Sequence, residues 1–305
     1  MPLSIEEIVS ELGKSNKSLL NTELVELSNL TPEEIEFFEG CWQSIKSERR
    51  RQIIDRLVEL AEDNLELNFD VIFKYCLKDG DNRVRSKAIE GLWENEEASL
   101  IDSLINLLEQ DSSERVQAAS ALALGKFAVL AEHGKLRDGY ISSVQAALLS
   151  AIADKNKTPE VSRRALEAVA PISLPGVKEA IGEAYESSIP GFKISAIYAM
   201  GKSCDVVWLP VLLKELYSAD AEVRYEAAGA CGELEDEEAV LYLINLLDDS
   251  DVDVRMAVIQ ALGRIGNAQA KECLKQCLES DNEAVRQAAE QALNDVDLGE
   301  DPLTF

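Results

Sequence analysis

Apolar residues recur along this chain at spacings of three and four, the periodicity of one face of an α-helix. The stretch from Asp251 to Gly266, DVDVRMAVIQALGRIG, shows the pattern most clearly. If Arg255 is taken as position zero, small or apolar side chains fall at −1, +3, +6 and +7, as Val254, Val258, Ala261 and Leu262. The pattern predicts a helix with one buried face.

The same pattern returns along most of the chain. Position zero is occupied in turn by Arg51, Arg85, Arg115, Ser162, Lys193, Arg224, Arg255 and Arg286. The last five are each 31 residues apart, and a second amphipathic run, such as Ala239–Asp251, precedes the pattern. A period of this size is typical of a helical repeat array, in which each unit buries its apolar face against its neighbours.

Helix boundaries are marked within the units. An aspartate stands four residues before position zero in several of them, and each is predicted to cap the second helix of its unit: Asp81, Asp111, Asp220 and Asp251. Small residues at +6 predict a close approach of neighbouring helices. Gly263 and Gly266 suit the end of a helix, where a left-handed residue is least costly as glycine.

These units resemble HEAT repeats, in particular the short HEAT-like class of phycobilisome lyase subunits. The stretches Ala221–Leu234 (AEVRYEAAGACGEL) and Asp251–Gly266 carry the resemblance best, and it extends from about Glu33 to Val296. The resemblance implies an all-α fold, a right-handed α-α superhelix or HEAT-like solenoid of about eight helical pairs. The resemblance says less about function, because the residues that match are those that pack the helices together.

Departures from the pattern suggest the domain organisation. Residues 1–32 are predicted to form N-terminal capping helices, 33–296 the repeat solenoid, and 297–305 an acidic C-terminal tail. The interval from Arg115 to Ser162 is longer than the others and contains an insert near 125–140. Two alternatives remain open for the insert: a binding element on one face, or a helix extended by two turns.

Charge and composition narrow the function. The chain carries 57 acidic and 30 basic residues, a net charge of −27. This argues against nucleic-acid binding, which needs clustered Lys and Arg, and favours a basic or amphipathic protein partner. The first residues contain no basic segment, no apolar run approaches the ~18 residues of a membrane span, and the six cysteines show no disulfide pattern. We therefore expect a cytoplasmic protein that does not enter the membrane.

Candidate catalytic and metal-binding residues are scarce. His133 is the sole histidine. The HEAT-like deoxyhypusine hydroxylases hold iron through His-Glu pairs, whereas this chain has only the reverse order, Glu132-His133. Cys273 and Cys277 could share a helical face as half of a zinc site, but core packing is favoured. We therefore predict no cofactor, no metal site and no catalytic residue.

Positions +1 and +5 lie on the helix face opposite the buried one, where polar residues are expected, yet several repeats have apolar or aromatic residues there. The exceptions are Val116, Ile194, Tyr225 and Met256 at +1, and Tyr198 at +5. They predict a non-catalytic scaffold or adaptor that binds a protein along the concave face of the solenoid. Packing of these side chains between repeats is the alternative structural interpretation. The alternative function is that of a phycobilin-lyase-like subunit acting on a tetrapyrrole carried by a partner protein.

Overall fold

The computed structural model describes residues 5–14 and 18–300, and within them the regular structure is helical, with no strand. The chain divides into two compact units, Met1–Arg164 and Ala165–Phe305. The predicted all-α repeat fold is confirmed.

The first unit contains nine helices in the described residues: α1 (Ile5–Leu12), α2 (Asn21–Leu24), α3 (Pro32–Trp42), α4 (Ser47–Asp63), α5 (Asp70–Cys76), α6 (Asn82–Gly91), α7 (Ser99–Gln110), α8 (Glu114–Glu132) and α9 (Asp138–Ala153). The next helix, α10 (Pro159–Val169), contains the division between the units. The second unit continues with α11 (Pro175–Tyr185), α12 (Phe192–Lys202), α13 (Leu209–Glu215), α14 (Ala221–Leu234), α15 (Val240–Ile244), α16 (Val252–Ile265), α17 (Ala268–Cys277) and α18 (Glu283–Glu300). Short 3₁₀ turns occupy Val25–Leu27, Val206–Trp208 and Glu237–Ala239.

Within each unit the second helices of successive repeats lie side by side. In the first unit α4 packs on α6 and α6 on α8, and in the second α12, α14, α16 and α18 follow one another in the same way. The first helices cover their other side, as α5 covers α6 and α13 covers α14. The apolar positions predicted for α16 (−1, +3, +6 and +7) are all buried, so burial between neighbours forms the core.

Aspartate caps begin three of the second helices as predicted. Asp81, Asp220 and Asp251 each accept a hydrogen bond from a backbone amide in the first turn of α6, α14 and α16. The prediction for Asp111 was wrong, because α8 has Ser113 at the cap position. Asp111 instead accepts a hydrogen bond from the amide of Ser113, at 2.8 Å.

Position zero in α8 is Gln117 and not Arg115. Four arginines at position zero donate to a backbone carbonyl six residues earlier, as Arg85 does to Asp79 at 2.7 Å and Arg224 to Ser218 at 2.9 Å. In α8 the Gln117 amide makes this bond, to the carbonyl of Asp111. The side chain of Arg115 is exposed. The Gln117 amide donates to the equivalent carbonyl of its own repeat. This repeat therefore keeps the hydrogen bond although position zero is not an arginine.

Position zero also links one repeat to the next. The Arg85 guanidinium donates two hydrogen bonds of 2.8 Å to the carboxylate of Asp111, and Arg224 makes the same pair of bonds, also 2.8 Å, to Asp249. These are two-pronged, charge-assisted contacts between mostly buried groups. Each guanidinium therefore joins its own turn to the turn of the following repeat.

Glycine at +8 sets how closely the second helices approach one another. A Cβ added to Gly201 or Gly232 would lie 2.7 Å or 2.8 Å from the Cα of an alanine at +6 in the next repeat, Ala230 or Ala261. The close approach predicted from the small +6 residues is thus present. Gly263 was predicted to end its helix and instead lies inside α16, which ends at Gly266 with a left-handed φ of 60°.

The insert near 125–140 lies mostly in helices. It comprises the C-terminal end of α8, a short connection with Gly134 at a left-handed φ of 66°, and the start of α9. The predicted tail at 297–305 begins within α18, and residues 301–305 lie outside the described part of the chain.

Candidate binding surfaces on the second helices

The second unit has a small cleft on its second helices, with a volume of about 190 Å³. Residues of α12, α14 and α16 line it, and Tyr198 and Tyr225 form its aromatic side. Their exposed fractions are 38 % and 43 %, so both present aromatic surface to solvent. The cleft lies where +1 and +5 positions of neighbouring repeats meet.

The other predicted contact residues take different places. Ile194 and Met256 are half-buried and are not among the residues that line the cleft. The prediction that Val116 is exposed on this type of surface was wrong, because Val116 is fully buried. With Gln117 at position zero, Val116 occupies −1, a core position. Val116 is therefore not part of the proposed partner-binding surface.

Charged groups surround the two tyrosines. Glu233 accepts a hydrogen bond from Lys202 at 2.7 Å and pairs with Arg264, while Lys202 also lies over the Tyr198 ring at 5.7 Å. Glu226 has a different environment: burial raises its pKa to about 6, and the carboxylate of Glu167 adds to the shift. The cleft therefore contains both an ion-pair cluster and a carboxyl group that titrates near neutrality.

A larger cleft lies on the second helices of the first unit, with a volume of about 810 Å³. Ala61, Ile89, Ala119 and Ala123 contribute small and apolar side chains to its lining. Leu65 and Trp93 also line it, and their exposed fractions are 77 % and 65 %. Large apolar side chains exposed together in this way are typical of a binding surface.

The lengths of three helices explain why this cleft exists. The structure gives α4 17 residues and α8 19, whereas α6 between them has 10. At 1.5 Å per residue, α6 is about 10 Å shorter than α4 and about 14 Å shorter than α8. The ends of α4 and α8 therefore stand beyond α6, and Trp93, just after α6, lies in the gap. A Cβ added to Gly91, the last residue of α6, would lie 2.6 Å from the Phe73 ring.

Lys126, which lies on the neighbouring helix α8, caps the C-terminal end of α6. Its ammonium group donates to the carbonyls of Leu92 and Trp93, at 2.6 Å and 3.0 Å. Such donors satisfy the free carbonyls at a helix C-terminus. Burial lowers the pKa of Lys126 to about 8. This lysine therefore joins α8 to the end of α6, and two of its three N–H donors are used in doing so.

The rim of the first-unit cleft carries charges that have no ion-pair partner among the residues described. Glu62 and Glu94 lie near the C-terminal ends of α4 and α6, and Arg115 lies in the first turn of α8. All three are exposed. Because α4, α6 and α8 lie side by side and follow the same repeat pattern, the carboxylates and the guanidinium stand toward opposite ends of the cleft.

The sequence interpretation missed this surface. With Gln117 as position zero, Leu122 falls at +5, the position that Tyr198 holds in its own repeat. Leu122 is half exposed and lines the cleft. Trp93 also carried a signal, because it stands eight residues after Arg85, where three later repeats have Gly201, Gly232 and Gly263. Because Arg115 was taken as position zero, Leu122 was counted at +7, a core position, and its exposure was not predicted.

The described residues give little support to metal or thiol chemistry. Within 5–14 and 18–300, no group of three or more His, Cys, Asp or Glu side chains is arranged to hold a metal ion. Burial raises the pKa of the Cys273 and Cys277 thiols, which favours their protonated form. No helix in the same residues is long and apolar enough to span a bilayer.

Comparison with solved structures found several proteins that are similar to this chain. Among solved structures, the CpcE–CpcF complex of phycocyanin lyase from Nostoc sp. PCC7120 is 16% identical, with 74% of this chain and 94% of that chain covered and a TM-score of 0.51. The Escherichia coli protein YibA is 17% identical, with coverages of 82% and 98% and a TM-score of 0.46. Human deoxyhypusine hydroxylase is 18% identical, with 96% of each chain covered and a TM-score of 0.32. No curated protein matches the chain.

The family is established by the sequence itself. A model of HEAT repeats matches residues 69–138 and 209–294, which together make up half of the chain. The matched segments include α6 and α8 in the first unit and α14, α16 and much of α18 in the second. The chain belongs to the HEAT-repeat family.

Proposed function

We propose that this protein is a non-catalytic scaffold that binds a protein partner through exposed side chains of its second helices. The observation that carries the proposal is the aromatic cleft of the second unit, where Tyr198 and Tyr225 stay exposed on helices whose opposite face is the core. Tyrosine is enriched at protein interfaces, because its ring buries apolar area and its hydroxyl forms hydrogen bonds.

The charge of the chain supports a basic or amphipathic partner. A net charge of −27 gives the molecule a negative field that accelerates encounter with a positive surface. In the cleft, Glu226 and Glu233 supply carboxyl groups beside the tyrosines. The cytoplasmic location predicted from the sequence belongs to this proposal.

The test compares protein capture by three forms of the full chain. Immobilised wild type, a Tyr198→Ser/Tyr225→Ser variant and a Tyr217→Ser control are incubated with lysate of the source cells, and retained proteins are identified by mass spectrometry. Tyr217 is an exposed tyrosine of the second unit that does not line the cleft. We expect a set of proteins retained by wild type and control and lost with the double variant. Equal retention by all three forms would contradict the proposal.

Two controls accompany this test. Thermal unfolding of each variant separates a lost contact from a damaged core, and a large loss of stability in the double variant would assign the tyrosines to packing between repeats. Absorbance of the purified chain mixed with a bilin tests the tetrapyrrole alternative. A stable shift of the bilin spectrum would favour that alternative over a scaffold that binds only protein.

A further inference from the structure

We propose that the first-unit cleft binds an amphipathic helix of a partner protein, with a basic side chain near Glu62 and Glu94 and an acidic side chain near Arg115. This inference rests on the proposed scaffold function and assigns it a second contact surface with a defined ligand. It concerns the first unit alone and involves neither tyrosine of the second-unit cleft.

The apolar surface of the cleft calls for an apolar ligand. Leu65, Trp93 and Leu122 are exposed around a lining of smaller apolar residues. Removal of such surface from water is the main source of affinity in most protein associations. Trp93 has the largest side chain of the three, and tryptophan is a frequent centre of binding energy at interfaces.

The backbone around the cleft favours a helix over an extended peptide. An extended peptide gains affinity by pairing its amides and carbonyls with a free sheet edge. The cleft is built on α4, α6 and α8, whose internal amides and carbonyls already bond within each helix, and the carbonyls of Leu92 and Trp93 accept from Lys126. A helical ligand satisfies its own backbone and needs only side-chain contacts.

The dimensions of the cleft match a short helix. Arg115 and Lys126 both line it on α8, and 11 residues of helix separate them, which is about 16 Å along the axis. A partner helix of about three turns has the same length. Its apolar side chains at i, i+3, i+4 and i+7 would form the stripe that contacts Leu65, Trp93 and Leu122.

The charges define the ends of the ligand. Glu62 and Glu94 carry no ion pair in the described structure and stand at the end formed by the C-termini of α4 and α6. Arg115 is likewise without a partner and stands at the N-terminus of α8. A helix with a basic residue at one end and an acidic residue at the other complements both, whereas one with the same charge at both ends is repelled at one of them.

The test is a selection of helical peptides on the full chain. The displayed probes are 14-residue stapled helices whose apolar positions vary among Leu, Ile, Phe and Met, and whose end positions vary among Lys, Glu and Gln. We expect selected peptides to combine Lys at one end with Glu at the other. We also expect Trp93→Ala to weaken their binding at least tenfold, while Trp93→Phe and the distant control Tyr217→Ala stay within threefold.

Charge reversal gives the sharper result. The double variant Glu62→Lys/Glu94→Lys should bind the selected peptide at least tenfold more weakly than wild type does. A peptide whose Lys is replaced by Glu should recover binding to that variant. Glu36→Lys, at an exposed glutamate of α3 that does not line the cleft, is the matched control. Thermal unfolding of every variant confirms that the first unit remains folded.

Several outcomes would overturn the inference. They are a selection that yields no peptide above background, peptides that bind Trp93→Ala as well as wild type, and peptides without the charge preference. Displacement of a selected peptide by biliverdin, with biliverdin binding more tightly to wild type than to Trp93→Ala, would assign the cleft to a small ligand instead. Tyr198→Ser/Tyr225→Ser should not affect peptide binding, so failure here is distinguishable from failure of the scaffold proposal.

Discussion

Replacing Gly232 by alanine should leave the protein less stable than the same change at Gly229, three residues earlier in α14. Alanine has a higher helix propensity than glycine, by about 1 kcal/mol in a helix interior. Gly229 has no atom within 4 Å of an added Cβ, so Gly229→Ala should show this gain. At Gly232 the added Cβ would lie 2.8 Å from the Cα and 2.9 Å from the Cβ of Ala261.

The clash at Gly232 sets the size of the effect. Ordinary van der Waals contact begins at 3.4 Å, so α14 and α16 must separate by about 0.6 Å to accept the methyl group. The opposing atom is backbone and cannot rotate away. Overpacking of this kind costs about 1–3 kcal/mol, which cancels or exceeds the propensity gain. We therefore expect Gly229→Ala to be more stable than Gly232→Ala by about 1–3 kcal/mol.

Urea denaturation followed by far-ultraviolet circular dichroism measures this difference. The two variants change the same residue type in the same helix, so their unfolded states are closely matched. The equivalent glycines provide a graded series: an added Cβ would meet the next helix's Cα at 2.7 Å from Gly201 and at 3.4 Å from Gly263. Gly201→Ala should thus cost more than Gly263→Ala. Equal stabilities for Gly229→Ala and Gly232→Ala would refute the view that this contact sets the helix spacing.

Three further predictions concern buried groups. Hydrogen bonds from Arg224 lower the pKa of the Asp249 carboxyl, so its contribution is present above the unfolded pKa of about 3.9 and lost as pH falls through the folded value. Asp249→Asn should therefore lower Tm at neutral pH, and thermal melts should show the gap to wild type closing in acid. Burial raises the pKa of Glu226 to about 6, so its ionised form opposes folding above that pH. Glu226→Gln should raise Tm at neutral pH but not below about pH 4, and a lower Tm at neutral pH would contradict this account. Val116→Thr should reduce the free energy of unfolding by about 1–3 kcal/mol because it buries a hydroxyl, while the exposed Val252→Thr should stay within about 0.5 kcal/mol in the same denaturation assay.

The repeated packing residues predicted most of the fold. Apolar spacing located the second helices, and the aspartates at −4 located three of their first turns, because a cap depends only on local sequence. The error at Arg115 has a physical cause. The first turns of α8 contain both Arg115 and Gln117, and either side chain could donate to a carbonyl one turn earlier. Only the structure shows that Gln117 makes the bond and that Val116 is therefore core.

The two clefts were predictable to different degrees. Tyr198 and Tyr225 could be found because they occupy positions where the repeat pattern predicts solvent exposure. The first-unit cleft depends on the end of α6 relative to α4 and α8. The close contact between Gly91 and the Phe73 ring at the end of α6 is a tertiary one, and helix ends are the least certain part of a sequence-based interpretation.

The short length of α6 has a consequence for how new specificities arise in such arrays. Shortening one helix between two longer neighbours leaves the shared interior intact up to the point of truncation and opens a recess beyond it. The recess is then surrounded by exposed side chains that the stack does not bury, such as Leu65 and Trp93. An array built in this way can acquire a new ligand through loss of a few residues, and the repeats on either side tolerate the change because each depends only on its immediate neighbours.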